Sequence, residues 1–389
     1  MSRSGDATLH WSEQGQARCA LWRSEGGQPL PRRVVCADDT MPADTAYRLA
    51  CEGTALLWRG DFHNARQLLQ AMARRLERKP RKAAKPAAAG AGPAQAFHLH
   101  RQAQGQRARV LAMLLIALEG DYTIALRRAP DWRQACSESW GAVPVQGQAR
   151  TVLVPLRDLL GVVGAHEWRK KGVEIAALDG ARIHAHYGVF SPVRGEYLDL
   201  VMRAPLPAAG VSQAWDIGTG TGVLAAVLLK RGVKSVVATD MSERALACAG
   251  ENLQRLGQAA KVELQRTDLF PQGQAGLIVC NPPWLPGKAA SLLDQAIYDE
   301  DSRMLRGFLQ GLAMHLLPGG EGWLVISDLA EHLKLRSREE LLAWIASAGL
   351  KVLGREDIRP HHGKVQDQTD PLHAARAAEV TSLWRLAAA

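Results

Sequence analysis

From about Ser212 onward the chain alternates between short apolar runs and longer segments whose apolar residues recur every three or four positions. The short runs Ser212–Ile217, Ser235–Asp240, Val262–Arg266, Leu277–Asn281, Trp323–Ser327, Leu350–Glu356 and Val380–Leu386 predict strands. The segments Thr221–Arg231, Ser242–Leu256, Asp301–Leu316 and Arg338–Ala348 predict helices between them. Strands separated by helices of this length predict a parallel sheet covered on both faces. No helical stripe lies between the last two strands, so they are expected to form a hairpin and the final strand to run antiparallel. The expected fold class is α/β: a doubly wound, mostly parallel seven-stranded sheet with an antiparallel last strand, preceded by a smaller α+β N-terminal region.

Upstream the pattern is less regular. Asp61 is placed to cap a helix whose stripe is Phe62, Ala65, Leu68, Leu69, Met72 and Leu76. Pro80 ends it. Lys79 to Gln95 is rich in Ala, Pro, Gly and Lys without aromatic or β-branched residues, and reads as a flexible basic linker. Order is expected again from about Ala96. Phe97-His98-Leu99-His100 alternates like a strand and would put both histidines on one face; Arg109 to Leu118 is strongly apolar. Gly172 to His184 reads as a hairpin around Asp179-Gly180. The expected organisation is an N-terminal region over residues 1–78, a linker over 79–95, an accessory, substrate-recognition domain over 96–205 and a catalytic domain over 206–389.

Composition narrows the class. At 389 residues, with 47% apolar and 22% charged residues, the chain can bury two or three domain cores. The six cysteines are scattered with no C-x-x-C pair, which argues against a disulfide framework or a zinc site. Met1 to Asp6 lacks the apolar core of a secretion signal, and the longest apolar run is about half of a bilayer span. A cytoplasmic protein without membrane or metal partners is expected. The net charge of +9 is local: Arg66 to Arg109 holds eleven basic residues against Glu77, so this stretch carries +10 and the remainder −1. Such a run is an electrostatic footprint for a polyanion.

Four polar residues fall at the carboxyl ends of the first four predicted catalytic strands: Asp216, Asp240, Asp268 and Asn281. In an open parallel sheet these ends share one ligand crevice. Asp216-Ile217-Gly218-Thr219-Gly220-Thr221-Gly222 has the grammar of a strand, a glycine turn and a helix N-terminus. A dinucleotide turn would place its third glycine at Val223, one position later, and Asp216 would repel a pyrophosphate. The sheet resembles the Rossmann-like fold of class I S-adenosylmethionine-dependent methyltransferases. For the cationic sulfonium and ammonium of that cofactor, a carboxylate is an asset. Gly218, Gly220 and Gly222 let the backbone approach it, Asp240 is placed for the ribose hydroxyls, and Asp268 and Leu269 for the adenine.

Asn281-Pro282-Pro283-Trp284 follows the fourth strand. An amide or exocyclic amine nitrogen is a poor nucleophile because its lone pair is delocalised. The Asn281 oxygen and the Pro282 carbonyl can accept both N–H groups and turn the lone pair toward a methyl donor. The two prolines, Pro282 and Pro283, preorganise that carbonyl, and Trp284 offers a stacking face. With the glycine turn, this motif resembles the methyltransferases that modify planar nitrogen: the release-factor glutamine, ribosomal RNA guanine-N2 and adenine-N6 enzymes. Their fourth motif residue is usually Tyr or Phe, so Trp284 is a departure. Val189-Phe190-Ser191 is similar to the segment preceding the cofactor domain in the guanine-N2 group, and Arg194 with Glu196 to the arginine–glutamate stretch of the glutamine group. The resemblance implies that the upstream segment covers the cofactor, with Phe190 packed near it. It spans about Tyr187 to Leu329 and is absent before about Ala96.

The sequence thus predicts an S-adenosylmethionine-dependent N-methyltransferase. An exocyclic base amine in RNA, ribosomal RNA for instance, is the first expectation, because the +10 stretch can grip phosphates. The alternative substrate is a glutamine side chain of a translation protein. A non-catalytic RNA-binding protein and a nicotinamide oxidoreductase fit less well, since the glycine turn and Asn281 are intact and Asp216 opposes a dinucleotide. The loop Trp284 to Tyr298 is expected to close over substrate, and Arg359 to Lys364 to form a polar loop on the same side.

Overall fold

The computed structural model describes residues 7–78, 92–143, 150–360 and 370–389. Of the linker expected over 79–95, residues 79–91 lie outside the described residues, as does most of the 359–364 loop, and from Pro93 the chain is helical rather than linker. The chain forms two compact units, one of residues 1–91 with 98–167 and one of residues 92–97 with 168–389.

The first unit is built on strands β1 (Thr8–Glu13), β2 (Gln16–Trp22), β3 (Arg33–Ala37), β4 (Thr54–Trp58), β5 (Leu114–Leu118) and β6 (Val152–Pro155). They form one mixed sheet in the order β1-β2-β6-β5-β4-β3. β3, β4 and β5 run parallel, and β6 is antiparallel to β5. The helix Phe62–Arg78 lays Phe62, Ala65 and Met72, all fully buried, against Leu56, Leu57 and Leu114 to Ile116. Asp61 caps it, accepting from the His63 backbone N–H at 2.9 Å.

Two expectations are corrected here. Phe97 to His100 is not a strand but part of the helix Pro93–Leu111. Four alternating residues are a short signal, and the surrounding Ala, Gln and Arg residues favour a helix. His98 and His100 therefore do not share a face. The border also falls at residue 167 rather than 205, with no separate domain over 96–205. β5 and β6 need partners for their backbone groups and find them in the N-terminal sheet.

In the second unit, β7 (Val173–Ile175) and β8 (Ala181–Ile183) form the expected antiparallel hairpin. Its turn residues Asp179 and Gly180 have left-handed φ values of 57° and 81°. The main sheet comprises β9 (Gln213–Ile217), β10 (Ser235–Asp240), β11 (Val262–Arg266) and β12 (Ala275–Cys280). After a short parallel pair, β13 (Leu285–Pro286) with β14 (Tyr298–Asp299), it continues with β15 (Leu316–Ser327), β16 (Leu350–Ile358) and β17 (Thr381–Ala388). The order is β11-β10-β9-β12-β15-β17-β16. The first five strands of that order are parallel, and β17 is antiparallel to both neighbours.

Period-two alternation explains the layers. Leu277 and Val279 of β12 and Trp323 and Val325 of β15 join one core with the helix Val223–Lys230. Ile278, Cys280, Leu324 and Ile326 point the other way, into a core with Leu305, Phe308 and Leu312 of the helix Arg303–His315. Helices therefore cover both faces, and the polar residues that end the strands are left at the sheet edge. No helix among the described residues is long and apolar enough to cross a membrane.

Candidate active site

Ile217, Thr239 and Cys280 lie side by side at the ends of β9, β10 and β12. The residues that follow, Gly218, Asp240 and Asn281, emerge from one edge. The Thr239 carbonyl accepts from the N–H groups of Gly218 and Thr219, both at 2.9 Å, which folds the chain sharply back over the sheet. Gly218, Gly220 and Gly222 all take left-handed φ, at 74°, 55° and 79°. A Cβ on Gly218 would come within 2.5 Å of the Met304 methyl group, whereas one on Gly220 would meet no atom within 4 Å. Gly220 thus lines open space.

Asp216 is fully buried beneath this turn. Its Oδ2 accepts from the Thr219 hydroxyl at 2.6 Å and from the Ala225 N–H at 3.2 Å. Its Oδ1 is buried without a hydrogen-bond partner. Burial, with a smaller push from Asp240, raises the Asp216 carboxyl from an ordinary 3.8 to about 6. A buried carboxylate with an orphaned oxygen calls for a cation or a donor from a ligand.

Asp240 ends β10. Its Oδ2 accepts from the Gly220 N–H at 3.1 Å and its Oδ1 from the Ser242 N–H at 2.9 Å. Each oxygen keeps a lone pair for a diol, and burial raises its pKa. Asp268 is exposed and ion-paired with Arg303, a partner the sequence did not suggest. Leu269 has φ 68°, its carbonyl accepts from the Thr239 hydroxyl at 2.7 Å, and its side chain packs toward Gly307. Asp240 and the glycine turn therefore converge, while Asp268 and Leu269 are partly engaged by the helix Arg303–His315.

The segment carrying Phe190 is strapped to the helix Glu243–Arg255. The His184 N–H donates to Asn252 Oδ1 at 2.8 Å, and Arg244 Nη1 to the Tyr187 carbonyl at 2.9 Å. Val189 is buried against Ala245 and Cys248, leaving Phe190 37% exposed.

Asn281 Oδ1 accepts from Trp284 Nε1 at 2.8 Å. Pro282 is buried, and Trp284 is half-buried against both apolar cores. The indole thus braces the Asn281 amide, a role the sequence reading of a free stacking face did not include. The loop after it is anchored at both ends, Leu285 pairing with Tyr298 and Pro286 with Asp299. Buried Asp299 caps the next helix by accepting from the N–H groups of Met304 and Leu305, at 3.0 and 3.1 Å.

Sequence reasoning missed Met304 under the glycine turn and Met241, 57% exposed directly after Asp240. Met241 had a signal, an apolar residue at an exposed strand end. Met304 had none, because its contact is made across the fold.

Residues 180–341 match the sequence family described as Methyltransferase small domain. The chain is 37% identical over 120 residues to the release factor glutamine methyltransferase of Cereibacter sphaeroides, an alignment covering 27% of this chain and 43% of that protein. It is 32% identical over 162 residues to the ribosomal protein uL3 glutamine methyltransferase of Bordetella pertussis, covering 38% and 53%. The chain thus spans about half or less of the length of these relatives. Among solved structures, a ribosomal protein L11 methylase from Lactobacillus delbrueckii subsp. bulgaricus is similar over 50% of this chain and 75% of that one, at 22% identity and a TM-score of 0.32. The sheet has the order and the antiparallel last strand expected from the sequence for an S-adenosylmethionine-binding domain. The residues present fit that cofactor: an orphaned buried carboxylate oxygen for a cation, open space over Gly220, and two free lone pairs on Asp240.

Proposed function

We propose that the protein is an N-methyltransferase that modifies the side-chain amide of glutamine in a protein of the translation apparatus. The observation that carries this reading is the Trp284–Asn281 hydrogen bond at the end of β12. With one lone pair of Oδ1 held by the indole, the Asn281 amide cannot turn its NH2 toward an acceptor. The second lone pair of Oδ1 and the Pro282 carbonyl are free to accept the two N–H groups of a substrate amide. Held this way, the nitrogen presents its lone pair along the line of attack, and positioning supplies most of the rate gain. S-adenosylmethionine, when bound, supplies an electrophilic methyl group on a sulfonium. Transfer leaves the nitrogen with a proton that it loses readily, so no strong base is required at Asn281. Asp216, Asp240 and the turn Gly218 to Gly222 hold the cofactor in this reading, and the Phe190 segment covers it.

The relatives named above as glutamine methyltransferases support a protein acceptor. The rival acceptor, an RNA base amine, rests on the basic stretch Arg66 to Arg109. Beyond the Glu77 already counted, which pairs with Arg107 at 3.0 Å, Asp44 neutralises Arg75 at 2.6 Å. The test is transfer of labelled methyl from S-adenosylmethionine to purified release factor, to ribosomal protein uL3 and to ribosomal RNA. Label in RNA but in neither protein would overturn the reading.

A further inference from the structure

Glu379, just before β17, has a fully buried side chain that none of the steps above uses. Its Oε1 accepts from the Ser327 hydroxyl at 2.7 Å, and its Oε2 has no hydrogen-bond partner. Among the described residues Arg376 acts on it electrostatically, and it pairs with Arg194, whose Nη1 stands 3.9 Å from Oε1. That is an ion pair without a hydrogen bond. A guanidinium closed on a carboxylate makes two parallel N–H···O bonds in its strongest geometry, and this pair does not. Among the described residues Arg194 makes no hydrogen bond with its guanidinium, and its side chain is 26% exposed.

The location is informative. Ser327 is the last residue of β15 and pairs with Thr381 at the start of β17. β15 lies beside β12, with Cys280 opposite Leu324, so Ser327 and Glu379 stand at the same sheet edge that carries Asn281. Arg194 reaches this edge from the segment that carries Phe190. The helix that follows it, Glu196–Arg203, buries Tyr197, and burial, then the Asp216 carboxylate, raises the pKa of its phenol. One guanidinium is thus tied electrostatically to the acceptor edge and by the chain to the cofactor side.

We propose that Arg194 recognises main-chain carbonyl oxygens of the acceptor polypeptide beside the reacting glutamine, and that Glu379 is the buried carboxylate that positions its guanidinium. This rests on the protein-acceptor reading. A donor on the reacting amide's own oxygen would draw the nitrogen lone pair further into resonance and slow transfer. Arg194 therefore serves acceptor binding, and its effect falls on KM and not on kcat. Glu379 acts through Arg194 as a positioning residue.

The experiment is steady-state methylation of purified release factor and of ribosomal protein uL3 by the unaltered protein and by Arg194→Ala, Arg194→Lys and Glu379→Gln, with S-adenosylmethionine affinity measured by calorimetry on each. Loss of charge-assisted hydrogen bonds predicts an acceptor KM raised about 10-fold or more in Arg194→Ala, with kcat and cofactor affinity within about two-fold. Arg194→Lys keeps the charge without the fork and recovers part of the loss. Glu379→Gln, which keeps the shape and the Ser327 bond, raises KM several-fold in the same direction. An Arg194→Ala variant with unchanged KM, or one whose cofactor affinity falls as much as its KM rises, overturns this assignment while leaving the protein-acceptor reading intact. Failure of the unaltered protein to label either acceptor overturns both.

Discussion

The indole N–H of Trp284 and the side-chain oxygen of Asn281 are joined across 2.8 Å on the turn that leaves β12. A tyrosine or phenylalanine at this position could stack on a substrate but could not brace the amide in the same way, since the donor here sits on the ring edge. Asn281→Ala should lower turnover by about 100-fold or more, the scale of losing an oriented hydrogen-bonding group at a reacting centre. Trp284→Phe, which keeps a ring and removes the donor, should cost about 10-fold in kcat by freeing the Asn281 amide to rotate. Single-turnover methylation reads both, and calorimetry should show cofactor affinity within a few-fold. Full turnover by Asn281→Ala would sink the positioning role.

With Asp216 facing the cofactor as proposed, cofactor binding should depend on pH. The Asp216 carboxyl is raised to about 6, so in the free protein folding favours the protonated form. The stabilisation from this group is therefore present below the ordinary value near 3.8 and is lost as pH rises through about 6. A cationic cofactor favours the ionised form. Affinity for S-adenosylmethionine should thus climb with pH through that window and level off above it. Asp216→Asn should match the unaltered protein's weak binding at the low end of the window and stay flat across it. A titration by calorimetry between these pH values decides it; a flat profile for the unaltered protein would remove the proposed contact.

Two glycines separate cofactor binding from folding. Gly220 has a left-handed φ of 55° with open space around its absent Cβ. Gly220→Ala should stay folded at a cost of about 1–2 kcal/mol from the backbone alone, yet lose most cofactor affinity because its methyl enters the cradle. Gly276 lies in β12 with its absent Cβ only 1.8 Å from the Ala209 carbonyl oxygen. Gly276→Ala should fail to fold or melt far below the parent. Thermal melts with and without S-adenosylmethionine distinguish the two, and an unaltered ligand-induced rise in Tm for Gly220→Ala would contradict the cradle.

Phe308 anchors the core under the same site. It is fully buried and stacked on Phe270 with ring centroids 5.8 Å apart. Phe308→Ala should cost about 3–5 kcal/mol, the range for emptying an aromatic core position. Denaturant unfolding measures this, and a loss below about 1 kcal/mol would show that the helix Arg303–His315 re-packs freely.

The catalytic sheet was legible because each strand there is a short apolar run between amphipathic helices, a pattern local to the chain. Asp216, the three glycines, Asp240 and Asn281 could be placed because strand ends bring them together whatever the loops do. What escaped the sequence depends on distant partners. β5 and β6 read as part of a later domain until their hydrogen-bonding neighbours in the N-terminal sheet are seen. Four alternating residues imitate a strand inside the helix Pro93–Leu111. Asp268 was assigned to a ligand without its arginine, which arrives from the next helix. Arg194 and Glu379 could not be paired by any spacing rule, since only the antiparallel entry of β17 brings Glu379 to the edge.

β17 follows every other strand of the catalytic sheet in the chain but lies between β15 and β16. During synthesis, therefore, β15 and β16 emerge with a gap between them that neither can close. Their facing backbone groups, and the Trp323 and Leu350 positions beside them, have no partner until Thr381–Ala388 leaves the ribosome. A newborn chain of this kind is complete at its cofactor turn well before it is complete as a sheet. In that interval the edges of β15 and β16 that face each other are open to pairing with other strands.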